Sequence, residues 1–186
     1  MTIVPFDRLQ AVPWKNGLGI TREIAVEPQG ATMDDFTWRV SIADVDTASP
    51  FSRFPGIDRT IVLLEGNGFT MRLDGEHEHA LTMPCVPFAF AGEVGVEVAL
   101  AGGATRDFNL MVRRGAAHGA IDVVHGPVTL TPDGDTVLLY LAQGKAMIEG
   151  AVTQSVHAGD SVRGASEITL AAGATALRVR VSAAAG

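Results

Sequence analysis

Apolar and polar side chains alternate along much of this chain, and a period of two belongs to strands whose faces see different surroundings. In Trp38-Arg39-Val40-Ser41-Ile42, the apolar members Trp38, Val40 and Ile42 fall on one face and Arg39 and Ser41 on the other. The same rule sets Phe108, Leu110 and Val112 against Asp107, Asn109, Met111 and Arg113. Around Ile57-Asp58-Arg59-Thr60-Ile61, Arg59 shares its face with two isoleucines, which buries its stem and leaves its head to be held by a partner or a ligand. Strands are predicted over 36–44, 60–65, 68–73, 95–101, 108–112, 128–130, 136–141, 145–148 and 177–181. Turn signals such as Asp74-Gly75, Gly102-Gly103, Asp133-Gly134 and Gly159-Asp160 separate them at short intervals, and no long amphipathic helix interrupts them. The chain is therefore expected to be all-β, a sandwich or barrel built of hairpins.

Two stretches echo each other. Leu63-Leu64-Glu65-Gly66 leads into a strand and turn, and Leu141-Ala142-Gln143-Gly144 leads into Lys145 to Gly150 in the same manner. The repeat predicts two lobes, 1–115 and 116–186, joined near Gly115 to Gly126 and forming one compact unit. All eight Phe and both Trp lie at or before Phe108, which points to the first lobe as the one with a small-molecule pocket, although a larger core would explain the same bias.

With 186 residues and 47% hydrophobic side chains the chain has ample material for a core. A formal charge of −7 argues against nucleic acid or an anionic membrane as partner. The N-terminus lacks a basic stretch followed by an apolar run, so a cytoplasmic location is expected. The single Cys85, flanked by Met83, Pro84, Val86 and Pro87, reads as a structural thiol.

Twelve arginines stand against two lysines, Lys15 and Lys145. A guanidinium grips a carboxylate through two parallel hydrogen bonds, which an ammonium cannot do. If two of Arg22, Arg39 and Arg59 face a barrel interior, with Arg39 and Arg59 as the leading pair, the ligand is an anion, most simply a small carboxylate; the competing reading pairs the arginines with protein carboxylates such as Glu23, Asp44 and Asp58. Asn109 and Ser41 would read a remaining polar group, and Trp38 and Met111, with Trp14 as a further possibility, would form the apolar wall. Asn16 precedes Gly17 in a loop where its amide can serve either a ligand or the local backbone. The hydroxyls of Thr21, Ser41 and Ser52 could orient an oxygen, and Glu23, Asp58 or Asp107 could carry protons were the protein an enzyme. No nucleophile with a histidine partner stands out.

His77-Glu78-His79 is the one stretch that suggests a metal, yet it follows the turn Asp74-Gly75-Glu76 at an expected hairpin tip and lacks the downstream glutamate and histidine that would complete a site. His118, His125 and His157 are scattered. Neither a metal nor a cofactor is expected, and no phosphate-cradling glycine loop is present.

Three runs are long and ordered enough to identify a relative: Trp14 to Ile24, Trp38 to Ala43, and Arg106 to Arg113, with Pro50 to Arg59 between the last two. Together they resemble the HutD/Ves family of bacterial proteins. The resemblance implies a double-cupin fold, Arg22, Arg39 and Arg59 within its motifs, and a role as a regulator or metabolite binder in histidine utilisation, with N-formylglutamate or urocanate as ligand, or as a stress-induced protein. By analogy with cupins that pair through their sheets, it also implies a possible homodimer.

Overall fold

The computed structural model describes residues 1–14, 16–131, 133–150, 152–164 and 167–184; Lys15, part of the first family-like run, lies outside the described residues. In the first half the strands are β1 (Thr2–Val4), β2 (Ala11–Pro13), β3 (Gly19–Glu27), β4 (Trp38–Val45), β5 (Ile57–Glu65), β6 (Phe69–Leu73), β7 (His77–Leu81), β8 (Pro87–Ala91) and β9 (Val96–Leu100). There follow β10 (Thr105–Arg113), β11 (Ala117–His125), β12 (Val128–Leu130), β13 (Thr136–Gln143) and β14 (Lys145–Ile148). The last are β15 (Gln154–His157), β16 (Ser161–Arg163), β17 (Ile168–Leu170) and β18 (Thr175–Ala183). A single 3-10 turn, Phe6–Arg8, is the only helical element among the described residues.

Two compact units divide the chain, each built of two antiparallel sheets in a cupin-like arrangement. Residues Gln10–His118, with the segment from Ala183, form one: a six-stranded sheet ordered β2-β3-β4-β10-β5-β8 and a three-stranded sheet ordered β7-β6-β9. Met1–Leu9 and Gly119–Ser182 form the other, with sheets β1-β16-β13-β18-β11 and β12-β17-β14-β15. The division departs from chain order because β1 pairs with β16, Ile3 opposite Val162, which carries the first nine residues into the later unit. The chain passes from one unit to the other between His118 and Gly119, within Gly115 to Gly126, a stretch that is mostly strand β11.

In the Gln10–His118 unit, Ile61, Leu63, Phe69, Met71, Leu81 and Val96 form a closed apolar cluster, with Phe51 edge-on to Phe69 at 5.8 Å. Burying a side chain of this size contributes about 1.5–3 kcal/mol, so this cluster holds the two sheets together. The other unit has its own core around Leu139, Leu141, Ile148, Ile168 and Leu170. Gly68, at φ 70° beside the start of β6, has no room for a side chain, since a Cβ there would sit 1.9 Å from the carbonyl oxygen of Leu81.

Asp74-Gly75-Glu76 forms the hairpin tip, and His77-Glu78-His79 follows it as the start of β7, which pairs with β6 from Leu73 opposite His77 to Phe69 opposite Leu81. His79 lies against the Phe88 ring with centroids 3.6 Å apart, and burial lowers its pKa. Cys85 is half-buried and burial raises its thiol pKa, in keeping with a structural thiol.

Candidate functional site

Strand register places the polar face of the six-stranded sheet in rows. Thr21 lies opposite Ala43, and Ala43 opposite Asp107. In the next row Glu23, Ser41, Asn109 and Ile61 follow one another across β3, β4, β10 and β5. The third row sets Arg39, Met111, Arg59 and Phe90 side by side. Because neighbours in register point to the same side of a sheet, these rows converge on one surface, and the segment 49–54 covers part of it. A cavity of about 520 Å³ results, lined among others by Trp14, Asn16, Thr21, Arg39, Arg59 and Asp107.

Arg59 is the cation of this cavity that lacks an acidic partner. It is 8% exposed; its Nη2 donates to Asn109 Oδ1 at 3.2 Å, while its buried Nε has no acceptor. Phe51, Phe54 and Phe90 surround the guanidinium at 5.2, 5.4 and 4.9 Å from their ring centroids. Burial, with the nearby charge of Arg39 adding to it, lowers the Arg59 pKa to about 10, still far enough above neutrality to keep the charge. Arg39 is differently placed: its Nε donates to Glu23 Oε2 at 2.7 Å and its Nη1 to Ser41 Oγ at 3.3 Å.

Asp107 is the acidic member of the lining. It is 1% exposed and neither carboxylate oxygen receives a hydrogen bond. Burial pushes its pKa up to about 7; the nearby Thr105 hydroxyl opposes the rise and the Asp44 carboxylate adds to it. The Thr105 hydroxyl, which donates to the Glu65 carbonyl at 3.1 Å, is the protein donor nearest in effect to the Asp107 carboxylate.

Of the residues expected to meet a ligand, Asn16, Thr21, Arg39, Ser41, Ser52, Arg59, Asn109 and Met111 line this cavity. Trp38, Arg22 and Glu23 do not. Trp38 belongs to the opposite face with Val40 and Ile42, as strand alternation requires, and Trp14 takes the wall position, its Nε1 donating to Thr21 Oγ1 at 2.8 Å. Arg22 also points to the reverse face, where it pairs with Asp44, which receives Arg106 Nε at 2.6 Å as well. Glu23 stands one contact away, holding Arg39. Asp58 is bonded to Arg114 at 2.6 Å. Asn16 serves the loop as well as the cavity, accepting from the Leu18 amide at 3.1 Å and donating to Ser49 Oγ at 3.3 Å.

The contributions of Phe51 and Phe54 to the cage, and of Ser49 and Met33 to the lining, were not anticipated. The run Pro50 to Arg59 held the signal for the two rings, since Phe51, Phe54 and Arg59 all occur within it, but their meeting depends on a loop path that alternation does not describe. Among the described residues, no three of His, Cys, Asp and Glu come together as a metal site.

A cupin-like all-β protein with an arginine-containing cavity inside one unit is the class that this fold and site define. The HutD family model matches residues 7–183, and the chain belongs to the HutD family. It is 39% identical over 140 residues to an uncharacterized 21.2 kDa protein in the hutC 3' region of Pseudomonas putida, covering 75% of this chain and 73% of that one. It is 43% identical over 101 residues to protein Ves of Escherichia fergusonii, a match over 54% of this chain and 51% of Ves. The structure of HutD from Pseudomonas fluorescens SBW25 (formate condition) superposes with a TM-score of 0.83 at 30% identity over 99% of both chains.

Proposed function

We propose that the cavity of the Gln10–His118 unit binds a small carboxylate metabolite and that the protein acts through this binding in histidine utilisation, the process with which the HutD family is associated. The observation that carries this reading is Arg59: a buried, charged guanidinium facing a cavity, with a free Nε donor and no carboxylate partner. A charge left in this state favours an incoming anion, because ligand and cation then share the cost of desolvation. Arg39, already engaged by Glu23, supports the site's positive potential and leaves Arg59 as the principal anchor. Asn109 Nδ2, Ser41 and Thr21 supply hydrogen bonds to further oxygens, and Trp14 and Met111 supply apolar walls. N-formylglutamate and urocanate, the ligands that family membership suggests, both present a carboxylate.

Thermal unfolding in the presence of formate, N-formylglutamate, urocanate and glutamate tests the reading. A ligand at 100 times its Kd adds about 2.7 kcal/mol to a state that alone binds it, worth roughly 5–10 °C for a chain of this length. Arg59→Gln is expected to remove the shift, a loss of about 1.5–3 kcal/mol in binding. Shifts that persist undiminished in Arg59→Gln would move the anchor elsewhere, and the absence of any shift would count against a carboxylate ligand.

A further inference from the structure

We infer that Asp107 is the specificity-determining group of this cavity, accepting a hydrogen bond from an N–H of the ligand, so that the preferred ligand is a small carboxylic acid carrying an N–H donor at its far end. The inference rests on the carboxylate reading of Arg59 and adds a second, opposite pole to the site.

Asp107 lines the cavity, is almost wholly buried, and receives no hydrogen bond on either oxygen. Buried carboxylates are ordinarily satisfied by donors from the protein, so an unsatisfied one facing a cavity is a place for a donor from outside. The other polar groups of the lining already lean toward acceptors: Arg59, Arg39, the Asn109 amide nitrogen and the hydroxyls of Ser41 and Thr21 can all donate. A ligand complementary to this distribution carries its acceptors at the Arg59 end and its donor at the Asp107 end.

Register sets the spacing. The Arg59 guanidinium reaches the Asn109 level of β10, and Asp107 lies two residues further along the same strand. Two residues of extended strand span about 6.6 Å, the reach of four or five bonds from a carboxylate carbon to an amide or azole nitrogen.

The charged groups around Asp107 are few. From β4 come Arg39 on the cavity side and Asp44 on the reverse; from β5 come Arg59 on the cavity side and Glu65 at the strand end. From β3 come Glu23, tied to Arg39, and Arg22, tied to Asp44 on the reverse face, where Arg106 of β10 also pairs. Phe69, Met71 and Leu81 of the facing sheet add no charge. No cation is bonded to Asp107, and burial holds its pKa up to about 7, where it loses its proton near neutrality. An N–H donor binds the ionised form best, so selectivity for such a ligand rises with pH through that region.

The test compares 4-acetamidobutanoate with 4-acetoxybutanoate, which differ only in the exchange of the amide N–H for an ester oxygen, and uses butanoate as a probe of the carboxylate anchor alone. None of the three titrates between pH 6 and pH 8 apart from the protein. Calorimetry is expected to give a preference for the amide of about tenfold at pH 8, falling toward unity at pH 6, and no preference in Asp107→Leu at either pH. Equal affinities for amide and ester at pH 8 with all three acids bound would overturn the role of Asp107 and leave the carboxylate anchor standing. A preference that survives Asp107→Leu would assign the donor contact to another residue and overturn the inference as well. If none of the acids binds, the carboxylate reading and the inference fall together.

Discussion

Arg59 and Asp107 are held in the fold against the energetics of folding, and each yields a measurable consequence. The Asp107 carboxyl has its pKa raised from an ordinary 3.8 to about 7. Between those values the folded chain keeps a proton that the unfolded chain has released, so this residue's contribution falls steadily as pH rises from about 4 to about 7 and is flat above. The full loss is on the order of 4 kcal/mol. Asp107→Asn cannot ionise and is expected to be more stable than the parent at pH 8 and close to it at pH 4, as read by urea unfolding at both pH values. A variant that is destabilised at pH 8 instead would mean that the ionised carboxylate has a stabilising partner. For Arg59, exchange for Met keeps the length and removes a charge whose desolvation only one hydrogen bond and three aromatic rings offset. Replacing buried ions with apolar groups of similar volume is often neutral or stabilising. Arg59→Met is therefore expected to unfold at the same denaturant concentration or later, by up to about 2 kcal/mol, while losing the thermal shift with carboxylates. A marked loss of stability would make Arg59 a structural residue first.

At the scale of strands, the cavity depends on how β2 and β3 turn. Trp14 closes one wall, and its amide donates to the Gly19 carbonyl at 2.9 Å. A Cβ on Gly19 would stand 2.6 Å from the Asp44 carbonyl oxygen and 3.0 Å from two atoms of the Trp14 ring. Gly19→Ala forces β3 away from the Asp44 carbonyl and crowds the indole, with an overpacking cost of about 1–3 kcal/mol. A shift in tryptophan emission together with weaker ligand binding is expected, and unchanged emission would show that the strand yields in place of the ring. Much of this element was legible in the sequence, and the limits have physical causes. Alternation in β4 and β10 assigned Arg39, Ser41, Asp107, Asn109 and Met111 to the polar faces of their strands, because the face of a side chain is a local property. The same rule places Trp38 on the reverse face, and treating its ring as a pocket wall ran against that rule. Pairing between strands is not local: β4 and β10 are more than sixty residues apart, so the row of Arg39, Met111 and Arg59 was not readable from either strand alone. β11 and β7 are missing from the strands that the sequence predicts, because His118, Gly119 and Ala120 carry little strand propensity and His-Glu-His-Ala lacks β-branched residues. Both become strands through tertiary pairing, β7 along the whole of β6.

Over the whole molecule the charge runs opposite to the site. The chain carries a formal −7, whereas the proposed ligand is an anion that meets its cation only inside the cavity. Outside, the field repels the ligand over distances at which salt is effective, since the Debye length falls from about 30 Å at 0.01 M ionic strength to about 8 Å at 0.15 M. Inside, the buried Arg59 contact is screened far less. The two effects separate kinetically: added salt relieves the long-range repulsion and leaves the contact nearly intact, so the association rate is expected to rise, by about twofold at most for a ligand of one charge, while the dissociation rate stays constant. Stopped-flow measurements on the Trp14 signal between these ionic strengths, with a bulky ring-bearing sulfonate that has no carboxylate in place of chloride to limit competition in the cavity, give both rates. An association rate that falls with salt would mean that the arginines steer the ligand from a distance and that the mouth, in spite of the net charge, is electrically positive. The sign of that slope thus tells whether recognition begins at the protein surface or only at the guanidinium.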